Sequence, residues 1–322
     1  MRLLIIVFSL FVLISCNKEA QIVPSLEFDN VYEIKSDTDD PVKMRVYDIY
    51  KKYKIPVFFN DTIGQVFVMN DVKGNPIYHT ERVNLEWSFF GYEKTHYDYT
   101  YMSTNQEKLD ALDIIEEFLT KSNAALHPFS SLVVKSARIM EQEVQRSQIV
   151  NGNYLIGFRS ILMSGNWSAA TKLALPESMK RDMVLNKINN YPSDVAEFGA
   201  VSTALWYGRK SWNSLDNSIP TTWQDANALV PTWSGISRYT AAELDQMRAN
   251  ARPVIGRFGF VRGAAGINLT PSNATEDLGF FVVEMLKYPH EEFLQLWGHS
   301  PLVIKKYNIL KNLIENKMNV KL

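Results

Sequence analysis

Residues 196 to 200 read Ala-Glu-Phe-Gly-Ala. Two histidines four apart on a helix, with a glutamate beside the first, can hold one zinc ion, because both imidazoles lie on the same face. The carboxylate then takes a proton from the metal-bound water. Here Glu197 is present, but alanine stands at both ligand positions, Ala196 and Ala200. Alanine has no lone pair to offer, so the stretch keeps the spacing of such a site without its ligands. The five histidines, His79, His96, His127, His290 and His299, contain no pair at that spacing. His290-Glu291-Glu292 approaches it, but the fifth position is Leu294. Glu197 also has a structural role open to it. With Asp194 as the N-cap of a helix, Glu197 falls at the third helical position, as in a capping box, where the helix dipole favours an acid. On the residues alone both readings of Glu197 stay open.

The elements that would position these residues follow from caps and periodicity. Asp40-Pro41 opens a helix, with aspartate as cap and proline at its first position. Pro56 begins a strand-like PVFFND. Residues 105–121 place Leu109, Leu112, Ile115 and Leu119 on one helical face. The runs SSLVVKSARIM from Ser130 and YLIGFRSILM from Tyr154 read as strands, with Asn151-Gly152-Asn153 as the turn between them. Beyond Pro176 the spacing predicts helices at 177–190, 194–207, 240–251, 274–288 and 302–317. An α+β fold with a mixed helix and strand N-terminal half and a helical C-terminal half follows. No Pro- or Gly-rich linker divides it, so a single domain over 31–322 is expected.

The chain has 322 residues, is 46% hydrophobic and 21% charged, and carries a formal net charge of -1. That balance suits a folded core and excludes a general affinity for nucleic acid. The first sixteen residues, MRLLIIVFSLFVLISC, join one positive charge at Arg2 to an apolar run too short to span a bilayer but suited to a secretory signal. Leu13-Ile14-Ser15-Cys16 resembles the lipobox of bacterial lipoproteins. Residues 1–15 are therefore expected to be removed, Cys16, the only cysteine, to be acylated, and 16–30 to form a tether. An acylated cysteine with more than one chain anchors a protein stably to a membrane. Asn17-Lys18-Glu19 partly matches the signal that sends such lipoproteins to the cell surface, so an outer-membrane location with the surface face favoured over the periplasmic face is expected.

Beyond the lipobox, three segments carry a wider resemblance: YDIYKKYKIPVFFND, the stretch Asp194 to Trp206, and FGFVRGAAGINLTPSNATEDLGFFVVEML. Together they resemble the zinc-binding metallopeptidases of Bacteroidota, especially the substrate import-associated zinc metallohydrolase lipoproteins that accompany outer-membrane nutrient uptake. The resemblance implies a zincin-like C-terminal half, with an acidic residue near the late helix completing the metal site. Glu276, Asp277 and Glu284 are the candidates. The family's two histidines fall on Ala196 and Ala200, which implies a degenerate member with a vestigial Glu197, no metal and no cofactor. Its former cleft would offer Trp206, Tyr207, Trp212 and Trp223 as apolar contacts for a peptide or other nutrient.

Three function classes follow from this. The chain is expected to be a non-catalytic lipoprotein that binds a nutrient or a partner for an uptake system. The alternatives are an active metallopeptidase with a rearranged site that uses His290 or His299, and an accessory subunit packed against an outer-membrane transporter and its binding lipoprotein.

Overall fold

In the computed structural model the described residues are 30–83, 85, 95–141, 146–149, 153–210, 212–217, 240–263 and 270–322. The expected signal segment and nearly all of the tether lie outside them, as does Trp223. The chain is mixed α+β, with strands and helices in its N-terminal part and a mostly helical C-terminal half. It divides into two compact units.

The smaller unit includes Thr62–Val83. It is a hairpin of β2 (Thr62–Asn70) and β3 (Pro76–Arg82), paired antiparallel with two register shifts. Asp71 closes the turn by accepting hydrogen bonds from the backbone N–H groups of Lys73 and Asn75, both at 2.8 Å.

The larger unit covers Ile34–Asp61 and Asn84–Leu322. Helix α1 (Pro41–Tyr53) starts as its sequence predicts: Asp40 accepts from the N–H groups of Val42 and Lys43. It leads into β1 (Val57–Phe58). After β4 (Thr95–Thr100) comes α2 (Asn105–Lys121), which Thr104 and Glu107 open with a complete capping box. Its buried face holds Leu112, Ile115 and Leu119. Each such side chain contributes about 1.5–3 kcal/mol when fully buried.

The run from Ser130 does not form one strand. It splits at Lys135 into β5 (Ser130–Val134) and β6 (Ser136–Glu141), which belong to different sheets. Lys135 N–H donates to the Thr100 carbonyl at 2.8 Å, and β6 then pairs antiparallel with β4 and with β7 (Arg146–Ile149). The run from Tyr154 divides likewise into β8 (Tyr154–Ile156) and β9 (Ser160–Ser164), an antiparallel pair. Gly157 makes the turn possible, because a Cβ there would stand 2.4 Å from the Leu85 carbonyl oxygen.

The four-stranded sheet has the order β1-β5-β9-β8, with β1, β5 and β9 parallel. Every residue of β5 and β9 is buried, as expected of parallel strands covered on both faces. Buried residues of α2 and of α3 (Ala169–Ile188), which pack against each other, share one hydrophobic core with Val133 of β5 and Ile161 and Met163 of β9. This helix begins at its Ser168 cap, upstream of Pro176, and carries that proline inside it, so the start expected at 177 is corrected to 169.

The C-terminal half contains α4 (Pro192–Ala200), α5 (Ala241–Gly256), α6 (Ala274–Lys287), α7 (His290–Trp297) and α8 (Pro301–Lys311). A π-helical segment, Asn312–Lys317, extends α8, so the helix expected over 302–317 is present with a wider last turn. Helix α7 has no counterpart in the sequence reading.

Candidate functional site

Helix α4 carries the Ala-Glu-Phe-Gly-Ala stretch and differs from expectation at both ends. It begins at Pro192, whose fixed φ and missing N–H suit the first helical position, and it ends at Ala200 rather than near 207. Asp194 is thus its third residue and not its N-cap, and Glu197 is not in a capping box. The Asp194 carboxylate instead accepts from Lys317 Nζ at 2.6 Å. Asp194→Ala should therefore destabilise the protein by about 1 kcal/mol, the upper range for a surface pair, and Lys317→Met should reproduce most of that in thermal melts. A loss on Asp194→Ala without a loss on Lys317→Met would return Asp194 to a helix-end role.

The face of α4 turned inward holds Asp194 and Phe198, one turn apart. Ala196, Glu197 and Ala200 are exposed. Glu197 makes no hydrogen bond or ion pair among the described residues. Helix α4 does pack against α6: a Cβ on Gly199 would come 2.9 Å from Ala274 Cβ, and Phe198 meets Phe281 edge-on at 5.1 Å. The two segments singled out in the sequence are therefore neighbours.

The three acidic candidates on α6 are placed very differently. Asn273 caps the helix through the N–H groups of Thr275 and Glu276, and Glu276 reaches back to the Ser272 N–H at 2.6 Å. Glu284 is half-buried. Asp277 is wholly buried, and its partner is a lysine that sequence reading missed. Lys306, on α8 and also 0% exposed, donates from Nζ to Asp277 Oδ2 at 2.5 Å, Ser202 Oγ at 2.6 Å and the Gly259 carbonyl at 3.0 Å. Tyr207 OH donates to the same carboxylate oxygen at 3.0 Å. The ammonium lies 4.9 Å from the Phe260 ring centroid and 5.0 Å from that of Phe198, so aromatic faces supply part of the solvation that water would give. Asp277 Oδ1 has no hydrogen-bond partner among the described residues.

Burial opposes charge on both partners. It pushes the Asp277 carboxyl up to about 6, against the pull of the Lys306 ammonium and its hydrogen bonds. It also lowers Lys306, with the Asp277 carboxylate resisting. At neutral pH the pair is a buried salt bridge, and Asp277 is not a free ligand. The sequence did hold a clue, since Lys306 follows Val303 by three residues and precedes Leu310 by four, an apolar stripe of α8.

Of the four expected cleft residues, the three that are described, Trp206, Tyr207 and Trp212, pack into this same interior. Trp212 is buried against Phe258 and Phe260, and Trp206 meets Phe258 edge-on at 5.3 Å. Tyr207 is half-buried against Phe260. His290 stacks on Tyr307 and bonds to its hydroxyl at 2.7 Å, while His299 is exposed. Among the described residues no three His, Cys, Asp or Glu side chains come together in a way that could hold a metal ion.

A separate cavity of about 660 Å³ opens beside the starts of β5 and β9. Its lining includes His127, Phe129, Phe158, Arg159, Asn186 and Lys187. Apart from His127, weighed above as a metal ligand, none of these residues stands out in the sequence, and Phe158 and Arg159 sit inside a run that reads as one continuous strand.

Comparison of the chain with protein-family models, with curated proteins and with solved structures finds no match.

Proposed function

We propose that the protein is a lipid-anchored, non-catalytic binding component of an outer-membrane nutrient uptake system, built on a scaffold of the zinc-metallohydrolase type. The observation that carries the reading is the pairing of α4 with α6. The helix spelled like a zinc helix lies against the acidic helix, as in a metal site, yet offers alanine at both ligand positions. The one acid on α6 that points wholly inward is held by an internal ammonium. A fixed cation occupies the coordination that Asp277 could otherwise give, and Glu197 has no metal-bound water to deprotonate. Acylation of Cys16 rests on the Leu-Ile-Ser-Cys sequence after the apolar run.

Two measurements test the reading. Purified protein should contain far less than one zinc ion per chain by mass spectrometry, and should cleave no peptide in a chelator-sensitive manner. Stoichiometric zinc together with such cleavage would overturn the non-catalytic assignment. In cells, Cys16→Ala should abolish fatty-acid labelling and leave an unprocessed precursor. Persistent labelling would remove the anchor.

A further inference from the structure

The geometry points to the cavity beside β5 and β9 as a binding site for a small organic anion with an apolar body, seated on Phe129 and Phe158 and held by Arg159 and Lys187. The volume, about 660 Å³, lies within the usual range for small-molecule sites. The charges around it have one sign. Among the described residues that line it, Arg159 and Lys187 are cationic and none is a carboxylate. Arg159 has no acidic partner among the described residues, and its guanidinium lies 4.0 Å from the centroid of the Phe129 ring. Stacking occupies the face of a guanidinium and leaves its donor edge free for a planar or tetrahedral anion. Lys187 Nζ donates to the Ala125 carbonyl, which fixes the ammonium beside the cavity while leaving donors unused. His127 adds no charge at neutral pH, since burial holds it below the usual histidine range despite its bond to the Leu119 carbonyl at 3.1 Å.

The apolar part of the ligand also has a prepared place. Phe158 is 77% exposed and Phe129 43%. These large rings stand at the rim of a concave site. Hydrogen bonds tie down the backbone beneath them: Gly157 N–H donates to Ser160 O at 2.9 Å, Phe158 N–H to Leu85 O at 2.9 Å and Phe129 N–H to Arg159 O at 2.7 Å. Asn186, in the last turn of α3, and Asn190, just beyond the helix, complete the polar side. Apolar rings with a few converging polar groups are what orient a small ligand.

This inference names the ligand class for the binding role proposed above and rests on that reading for its purpose. Its failure would leave the zinc and acylation results standing. Three probes test it by ligand-observed NMR and calorimetry on the full chain without its signal segment: N-acetyl-L-phenylalanine, phenyl phosphate and the neutral N-acetyl-L-phenylalaninamide. At least one anion should bind with millimolar affinity or better, and which of them does so identifies a carboxylate or a phosphate as the preferred group. The amide should bind about tenfold more weakly or worse, as expected for loss of a charge-assisted contact. Arg159→Gln, at an exposed position, should weaken the anion by about tenfold with unchanged melting, and Phe158→Ser should weaken anion and amide alike. No binding of either anion, equal binding of acid and amide, or an Arg159→Gln variant that binds as tightly as the wild type would each overturn the assignment.

Discussion

Replacing Lys306 by methionine should destabilise the protein by about 3–5 kcal/mol, the cost of stranding a buried partner charge. Asp277 is wholly buried, and its Oδ1 already lacks a partner among the described residues. Without the ammonium its Oδ2 keeps, among the described residues, only the Tyr207 hydroxyl. Lys306→Met combined with Asp277→Asn should recover most of the loss, because removing both charges removes their shared desolvation cost. Chemical denaturation of the two single variants and the double variant, treated as a mutant cycle, measures the coupling. Additive losses would show that the pair does not act as a unit.

The same pair gives the stability a pH dependence with a defined sign. The folded-state pKa of Asp277, about 6, is raised above its ordinary value of 3.8. Between these values the folded chain holds a proton that the unfolded chain releases, so the stability this group contributes is present at low pH and falls as pH rises to about 6. The stability of the wild type relative to Lys306→Met/Asp277→Asn should therefore decline from pH 4 to pH 6. A rise over that interval would mean that Asp277 is ionised throughout and that the ammonium outweighs burial.

The second large effect is expected on α4. Ala196 and Ala200 are exposed, one turn apart in an intact helix, and the Glu197 carboxylate between them has no partner among the described residues. Ala196→His together with Ala200→His should create an i, i+4 pair able to chelate zinc, and neither substitution displaces a buried group. Ligand binding to the native state raises stability by mass action, about 2.7 kcal/mol at a free zinc concentration one hundred times Kd. The melting temperature of the double variant should therefore rise with added zinc, while that of the wild type and of Ala196→His alone should not. Peptidase activity is not expected to follow, because Asp277 is held by Lys306 and so is not available as a further ligand. A double variant indifferent to zinc would mean that the helix does not present both positions to one ion.

Much of the architecture is legible in the sequence. Asp40-Pro41 and Thr104 with Glu107 mark helix starts because caps act within one turn. The apolar spacing of residues 105–121 gives α2 its buried face, and the shift from alternating to helical patterns gives the α+β class. The alanines at 196 and 200, at the spacing a zinc helix gives its histidines, are likewise visible by inspection. Two errors were also local in origin. Asp194 is a good cap residue, but Pro192 starts the helix two residues earlier. The breaker Pro176 suggested a boundary, but the Ser168 cap and the buried flanks of α3 carry the helix through it.

What only the tertiary structure decided is which distant groups meet. Lys135 turns the chain from one sheet into another because its N–H finds Thr100, and Gly157 folds back because the Leu85 carbonyl approaches it. Glu276 and Asp277 are adjacent acids on one helix, but a helix rotates about 100° per residue. One therefore reaches back to the helix start while the other enters the core to meet a lysine 29 residues away. Arg159 and Lys187 converge on one cavity from a strand turn and a helix end. The sequence by itself determined periods, caps and the alanines at 196 and 200, since those depend on a few neighbouring residues. The buried ion pair and the charged cavity depend on long-range packing, whose energy exists only once the chain has closed around them.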